Sequence, residues 1–167
     1  MVGLDESVQA AWAQVENQYQ RRLDLVPNLV ATVQGIADQE RAVFSAVVDG
    51  RAQALQTSID ISDPASVVAY QEVQGALSQG LGRLLAVVEN YPEIRSNQNF
   101  LELQAQLEGT ENRIAVERMR YNDVARQYNT YIRRFPSNIF AVLFGFDRIS
   151  LFEAAAGADQ SPSVEFN

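Results

Sequence analysis

The stretch that decides the fold is NFLELQAQLEGTENRIAVERMRYNDVARQYNTYIRRF, from Asn99 to Phe135. Its apolar and aromatic residues recur at steps of three and four or their sums, which places them on one stripe of a helix: Phe100, Leu103, Leu107, Ile114, Tyr121, Ala125, Tyr128, Ile132 and Phe135. Pro136 ends the pattern, because Pro disfavours the helical region for the residue before it. We predict one helix from about Gln98 to Phe135, about 55 Å long. Such a stripe is stable only against other long helices.

Polar residues interrupt this stripe at positions where the period asks for apolar ones: Thr110, Glu111, Glu117 and Arg118. One interpretation is a polar layer that sets the register between helices, or a place where the stripe meets solvent. The other interpretation is a functional polar site inside the bundle. The spacing by itself leaves both open.

A second long stripe starts near Leu4 and keeps one register as far as Leu55: Val8, Trp12, Val15, Tyr19, Leu23, Val26, Val30, Val33, Ala37, Phe44, Val47 and Leu55. Pro27 lies inside it, where it removes one helical hydrogen bond and clashes with the carbonyl four residues earlier. Because the phase holds across Pro27, we predict one continuous helix that is kinked there. We interpret the polar run RRLDLVPN as a kink whose freed groups and charges are satisfied locally.

The next turn is predicted from Thr57 to Pro64, where Ser62 or Asp63 can cap a helix that has Pro64 at its first position. That helix is predicted to end near Asn90, ahead of Pro92. Ser96 is the predicted N-cap of the helix that decides the fold.

After Pro136 the sequence changes character. A short apolar helix is predicted over Ile139–Phe144 and closed by Gly145, and five of the eight Phe fall at positions 135, 140, 144, 146 and 152. They form either a lid over one end of the bundle or an exposed aromatic patch for a partner or a lipid surface. Residues 154–167 are predicted to be a flexible tail, whose Val164–Phe166 could dock back as an extended piece.

Composition excludes several classes of site. The chain of 167 residues has a net charge of −8 and contains neither His nor Cys. The absence of His and Cys removes Cys nucleophiles, Ser-His dyads, structural zinc sites and His-ligated haem, and the negative charge argues against nucleic acid as a partner. No run of 18 apolar residues exists, so the chain as given does not cross a membrane. We predict no cofactor, no metal site and no catalytic residues.

An enzymatic interpretation would need two convergent carboxylates, as in glycosidases. The candidates are Glu111 with Glu117 or with Asp123. Glu111 and Asp123 lie about 18 Å apart along one helix, and Glu111 and Glu117 point to different faces. We therefore predict that the protein is not an enzyme.

The residues resemble one family closely. The motifs are YQRRLDLVPNLV at Tyr19–Val30, Val33-Gln34-Gly35, Arg51-Ala52, the run from Leu81 to Phe146 with ENYP, TENRI, YNDVARQYN and FPSN, and the terminal VEF. Together they are specific, and they cover essentially all of Val8–Phe152. The chain resembles the LemA family of bacterial membrane-associated proteins.

The resemblance implies an antiparallel helical bundle built on a long helical hairpin, and residues 1–153 would form this domain. It also implies a single transmembrane helix just before the residues that match Val2–Val8, with the domain on the outer face of the cytoplasmic membrane. The family has no established activity to carry over. Combined with the residue patterns, the expectation is an all-α antiparallel four-helix bundle with a long first helix kinked near Pro27 and a short apolar C-terminal helix.

The expected function is that of a membrane-anchored, non-enzymatic interaction or scaffold module with a protein or peptide partner. The alternative is a membrane-surface or membrane-remodelling element that acts through the Phe-rich end. Candidate interaction or structural residues are the polar positions of the two long stripes: Arg21, Arg22, Asp24, Asn28, Glu111, Arg113, Arg118, Tyr121, Asn122 and Asn129. The oligomeric state is left open.

Overall fold

The computed structural model describes residues 1–153, and the predicted tail 154–167 with its docking segment lies outside them. The described chain is helical: α1 Val2–Thr32, a 3-10 turn at Gln34–Ile36, α2 Arg41–Gln56, α3 Pro64–Val88, α4 Pro92–Arg95, α5 Gln98–Arg133 and α6 Ser137–Phe144. No strand occurs in this part of the chain, which confirms the all-α prediction.

Four long helices alternate in direction. α1 packs along most of α5, and the two run antiparallel, since Arg22 of α1 meets Glu111 of α5 while the N-terminal Val8 shares a cluster with Ile132. α2 packs along α3, where glycines allow the backbones to approach closely. A Cβ added at Gly50 would lie 3.5 Å from Leu77 Cα. The antiparallel four-helix bundle is therefore confirmed.

The prediction of one continuous helix as far as Leu55 was wrong. α1 ends at Thr32, and after the 3-10 turn α2 runs back along α1, because Arg51 of α2 contacts Leu23 of α1. The stripe kept its phase because the turn itself is packed, with Val33 and Ile36 buried in the same cluster as Phe44. Continuity of a hydrophobic period thus did not distinguish a straight helix from a well-packed reversal.

Pro27 lies within α1, which continues across it to Thr32, so the predicted continuity at this point is confirmed. Pro27 has no N–H for the carbonyl of Leu23, four residues earlier. The Arg51 Nε donates to that oxygen at 3.0 Å. The sequence predicted that this carbonyl is satisfied locally. Its hydrogen bond instead comes from Arg51 of α2.

The helix ends follow side-chain chemistry. Asp63 caps α3 by accepting from the Ala65 N–H at 3.0 Å, with Pro64 at the first position, as predicted. At α5 the cap is Asn97 and not Ser96, and it accepts from the backbone N–H of Asn99 and Phe100. α5 starts at Gln98, so Asn97 occupies the N-cap position, while the Ser96 hydroxyl donates to Glu93 O. Gly145 ends α6 with φ +71°, a conformation that glycine adopts without strain.

The chain returns along α5 after Gly145. Residues 146–153 have no regular hydrogen-bonded secondary structure and fill the space beside the N-terminal end of α3, where Ser150 N–H donates to Ile61 O at 2.8 Å. Phe152 is buried against Trp12, whereas most of α6 is exposed. The Phe-rich region therefore divides: Phe152 is buried in the core beside Trp12 and Tyr121, and most α6 side chains face outward.

Candidate functional site

α5 contributes to two polar centres, one near its middle at Glu111 and one nearer its C-terminal end. The first surrounds Arg22 of α1, whose side chain is 1% exposed. Its guanidinium donates to Glu111 Oε1 at 2.8 Å, to Gln74 O at 3.1 Å, and to the side-chain oxygens of Ser78 and Gln74. We call these four residues the Arg22 centre.

The Arg22 centre joins both helix pairs. Arg22 belongs to α1, Glu111 to α5, and Gln74 and Ser78 to α3. The Tyr19 ring lies 5.2 Å from the guanidinium carbon, and burial raises the pKa of its phenol. Arg22 hydrogen-bonds to the other three residues and Ser78 also bonds to Glu111, while Arg22 Nε and Gln74 Nε2 are buried without a hydrogen-bond partner. A paired charge that links three helices is the arrangement expected of a polar layer that sets helix register.

The second centre is a ladder of α5 side chains that bind the backbone of residues 147–152, in the segment that returns along α5 after α6. Asn122 donates to Phe152 O and accepts from Phe152 N–H, both at 2.9 Å. Asn129 does the same to Ile149, at 2.8 and 2.9 Å. Each amide thus replaces the two hydrogen bonds that a neighbouring β-strand would make.

Two phenols extend the ladder. Tyr121 donates to Ser150 O at 2.9 Å and Tyr128 donates to Asp147 O at 3.0 Å. Burial raises the pKa of the Tyr121 phenol, and burial followed by the nearby Asp5 and Asp147 raises that of Tyr128. Both phenols therefore remain neutral donors well above neutral pH.

The ladder depends on a match of two periods. The pairs Tyr121-Asn122 and Tyr128-Asn129 are seven residues apart on α5, which is a rise of about 10.5 Å. Their targets are three residues apart, and three residues of extended chain rise about 9–10 Å. Seven residues of α5 therefore cover about the same length as three residues of the extended segment, so the two Tyr-Asn pairs both meet their backbone partners. Arg118 adds a final contact to Glu153 O at 2.9 Å.

The ladder has one aromatic anchor. The Phe152 ring stacks on Trp12 at a centroid distance of 5.7 Å, meets Tyr121 edge-on at 5.3 Å, and lies 4.9 Å from the Arg118 guanidinium carbon. We call the five α5 residues Arg118, Tyr121, Asn122, Tyr128 and Asn129, together with this Phe152 cage, the strand clamp.

Four of the ten sequence candidates enter neither centre. Arg21 and Arg113 are exposed, and Asp24 accepts from Gln20 Nε2 at 2.8 Å on the surface. Asn28 is also exposed, and its carbonyl accepts from Thr32 Oγ1. The run RRLDLVPN is therefore not one cluster, because only Arg22 of its polar residues points inward.

The sequence reasoning missed Gln74, Ser78, Arg51 and Tyr128 as polar partners. Gln74 and Ser78 occupy ordinary positions of a helix, and nothing in their spacing marks them. Tyr128 carried a usable signal, because Tyr128-Asn129 repeats Tyr121-Asn122 after one heptad.

The carboxylates considered for catalysis do not converge. Glu111 pairs with Arg22, Glu117 with Arg120 at 3.1 Å, and Asp123 with Arg126 at 2.9 Å. Within residues 1–153 no group of three or more potential metal-ligating side chains occurs. In the same part of the chain, no helix is both long and apolar enough to span a bilayer.

A comparison with known proteins gives the family. The profile of the LemA family matches residues 11–166. This chain belongs to the LemA family. Two curated relatives are the magnetosome proteins MamQ 1 and MamQ 2 of Paramagnetospirillum magneticum, each 30% identical over 95% of this LemA-family chain and 65% of their own length. MamQ of Magnetospirillum gryphiswaldense is 28% identical over the same shares.

The chain therefore spans just under two thirds of the length of these relatives. The family motifs quoted from the sequence coincide with both centres: RRLDLVPNLV contains Arg22, TENRI contains Glu111, and YNDVARQYN supplies the strand clamp. Arg22, Glu111 and the Tyr and Asn residues of YNDVARQYN therefore lie in the two centres, whereas other polar residues of the same motifs, such as Arg21 and Asn28, are exposed.

Proposed function

We propose that this LemA-family domain is a non-enzymatic structural and interaction module at a membrane surface, and that α6 is the part that contacts lipid. The exposure of α6 carries the proposal. Val142 is 86% exposed, Leu143 71% and Phe144 68%, and the preceding Phe135 is 82% exposed. Exposed apolar surface of this kind marks an interaction site.

The exposed side chains surround most of α6. Of its apolar residues only Ala141 is buried, and Ile139, Phe140, Val142, Leu143 and Phe144 are all exposed. A helix that is apolar all round is typical of one buried on all sides or placed in lipid. A narrow groove for a single partner helix would require an apolar stripe only, so a lipid surface fits α6 better than a peptide does.

The N-terminus of the described chain lies beside α6. Met1 and Val2 line a groove of about 680 Å³ with Phe140, Phe144 and Phe146. In our proposal a single-pass anchor of the LemA type, placed before Val2, would enter the bilayer at this same end. We propose that the domain then lies on the outer face of the cytoplasmic membrane.

The charge around α6 supports contact with a lipid surface in an otherwise acidic chain. Residues 133–148 contain Arg133, Arg134 and Arg148 but only one acid, Asp147. Asp5 and Glu6 of α1 offset two of these charges, so the end near α6 is close to neutral while the whole chain carries −8. Apolar insertion at this end therefore meets little electrostatic repulsion.

The polar centres support a structural role rather than catalysis. The Glu111 carboxylate is bound by Arg22 and Ser78, and the clamp amides are bound by backbone. Glu111 lines a cavity of about 410 Å³ together with Glu108, but its carboxylate is engaged by Arg22 and Ser78, whereas a catalytic base would be free to accept a proton from a substrate.

Vesicle flotation tests the proposal. The variant Phe140→Asp/Phe144→Asp places two charges on α6, and Val48→Asp/Val116→Asp is the matched control, because these valines are 50% and 46% exposed on α2 and α5. We expect the wild type and the control to float with vesicles and the α6 variant to lose at least ten-fold in partitioning. Equal flotation of all three proteins would contradict α6 as the lipid contact, and absence of flotation for the wild type would contradict the membrane role.

In-cell photo-crosslinking tests the interaction role. Probes would replace Arg21 on α1 and Arg113 on α5, which are exposed and outside both centres. A discrete protein band from the membrane-anchored form would support an interaction module. Crosslinks to lipid or to the same chain alone would leave only the membrane-surface role.

A further inference from the structure

We propose that the long axis of the bundle stands upright on the bilayer, roughly perpendicular to its surface. In this orientation α6 is the foot, meaning the element that contacts lipid, and the strand clamp is the joint that fixes α6 relative to α5. This inference rests on the proposed membrane role and adds the orientation of the bound domain. The partner surface is the lipid bilayer, and the contact involves one end of the bundle rather than its side.

Position supports the upright orientation. α6 follows the C-terminal end of α5, and Met1 and Val2 of α1 lie at that same end. α5 has 36 residues and is therefore about 54 Å long. The opposite end of the bundle contains the 3-10 turn, α4 and the start of α5. A bilayer that contacts α6 thus lies across one end of a long molecule.

Charge supports the same orientation. Near the far end, residues 38–41 and 89–102 contain five acids, Asp38, Glu40, Glu89, Glu93 and Glu102, and two basic residues, Arg41 and Arg95. The segments that flank α6 and the start of α1 have three of each sign, Asp5, Glu6 and Asp147 against Arg133, Arg134 and Arg148, and the α2–α3 loop, which Ser150 contacts through Ile61, adds Asp60 and Asp63. An anionic bilayer therefore repels the far end more than the α6 end, within a Debye length of about 8–10 Å.

The remaining exposed apolar residues do not offer a competing side surface. Within residues 1–153 they are spread over four helices: Val2 of α1 lies at the α6 end itself, and the others are Val48 and Leu55 of α2, Val68 of α3, and Leu101, Val116, Met119 and Tyr131 of α5. Only the end of the molecule, with α6 and Phe135, presents six large exposed apolar side chains within ten residues.

The strand clamp fixes the position of α6 relative to α5. α6 buries only Ala141, so its own packing holds it weakly. The chain on its C-terminal side is bound to α5 through Asp147, Ile149, Ser150 and Phe152, and on its N-terminal side only Arg134–Pro136 separate it from α5. Both ends of α6 are therefore tied to the same helix, and its angle to α5 is set by the fold.

The test is energy transfer from single labels to an acceptor lipid in vesicles that contain anionic and zwitterionic phospholipid. The chain has no native Cys, so Asn138→Cys on α6, Asn112→Cys in the middle of α5 and Gln39→Cys at the far turn each give one labelling site. All three positions are exposed. We expect strong transfer from position 138, weaker transfer from 112 and the weakest from 39.

Equal transfer from positions 39 and 138, with flotation intact, would overturn the upright orientation while the membrane role stands. Loss of flotation for the wild type would instead overturn the membrane role itself. The two failures are thus distinguishable, and neither measurement on the wild type depends on a clamp variant.

The joint is tested by Asn122→Ala/Asn129→Ala in each labelled protein, with Asn112→Ala/Gln127→Ala as the control that removes two exposed amides from the same helix (the label at 112 is omitted in that control). Trp12, the single Trp, stacks on Phe152 and reports an opened clamp by a red shift of its emission. We expect the clamp variant to float but to lose most of the difference in transfer between positions 39 and 138. An unchanged difference in a protein whose Trp12 emission has shifted would overturn the role of the clamp.

Discussion

The two polar centres on α5 both satisfy buried polar groups between packed elements, but they use different chemistry. The Arg22 centre buries a charge and pairs it with Glu111, whereas the strand clamp uses neutral amides and phenols to pair with backbone groups. A buried charge is costly when its partner is lost, because the remaining charge stays out of water. A neutral donor that is lost costs only the desolvation of the groups it leaves unpaired. The comparison predicts which substitutions harm the fold most.

The largest effect is expected at the Arg22 centre. Glu111→Ala leaves Arg22 buried with only neutral partners, and we expect a loss of about 2–4 kcal/mol in the free energy of unfolding. This lies slightly below the usual range for a buried pair because the Glu111 side chain is 37% exposed. Urea unfolding monitored by circular dichroism measures the loss.

The double variant Arg22→Met/Glu111→Leu is the control for that prediction. It removes both charges and keeps apolar volume, so we expect it to be nearer to the wild type than the single variant. A single variant as stable as the double one would show that the pairing contributes nothing.

The next effect is expected in the strand clamp. Asn122→Ala leaves the Phe152 N–H and C=O without their α5 partner, and we expect a loss of about 2–3 kcal/mol. Asn122→Asp keeps the acceptor for the N–H but sets a charged oxygen against the Phe152 carbonyl in place of the donor, so its loss at neutral pH is expected to be larger. Chemical denaturation with Trp12 fluorescence follows the loss, and identical stabilities of the two variants would contradict the two-bond description.

A third contact joins a charged side chain to a backbone group. Arg51 donates to the carbonyl of Leu23, which has no helical N–H partner because residue 27 is Pro. We expect Arg51→Ala to cost about 1–2 kcal/mol. In a Pro27→Ala background the restored N–H satisfies Leu23 O, and the same Arg51 substitution is expected to cost less. A double-mutant cycle measures this coupling, and a coupling of zero would show that Arg51 acts through packing alone.

The smallest effect appears only in alkaline solution. Burial raises the pKa of Tyr121 above its ordinary value of 10.0, so the folded state binds more protons than the unfolded state above that pH. The stability contributed by the neutral phenol is complete below pH 10 and is lost as the pH rises from there, by about 0.8 kcal/mol at half a unit above 10. We expect Tyr121→Phe to flatten this alkaline decline in Tm, and parallel curves for both proteins would contradict the assignment.

Much of the fold could be predicted because periodicity reports burial. The stripe from Phe100 to Ile132, the cap at Asp63 and the stop at Gly145 each follow from local chemistry, and each is present. The reversal after Thr32 could not be predicted, since a packed turn keeps the same apolar spacing as a helix. Of the candidate site, Arg22, Glu111, Arg118, Tyr121, Asn122 and Asn129 enter the two centres, and the polar partners on α3 carried no local signal.

The helical class, the family and the stripes that meet in the core follow from the order of residues alone, because they depend on residue types at fixed local spacing. The tertiary structure alone decided that Arg51 completes the backbone opened by Pro27, that Arg22 reaches across to α3 and α5, and that α6 faces outward while Phe152 faces inward. The first two relations join residues from 28 to 89 positions apart, and the third separates neighbours in one aromatic run. A local period carries no information about which distant group lies opposite, and that arrangement is set only when the helices pack.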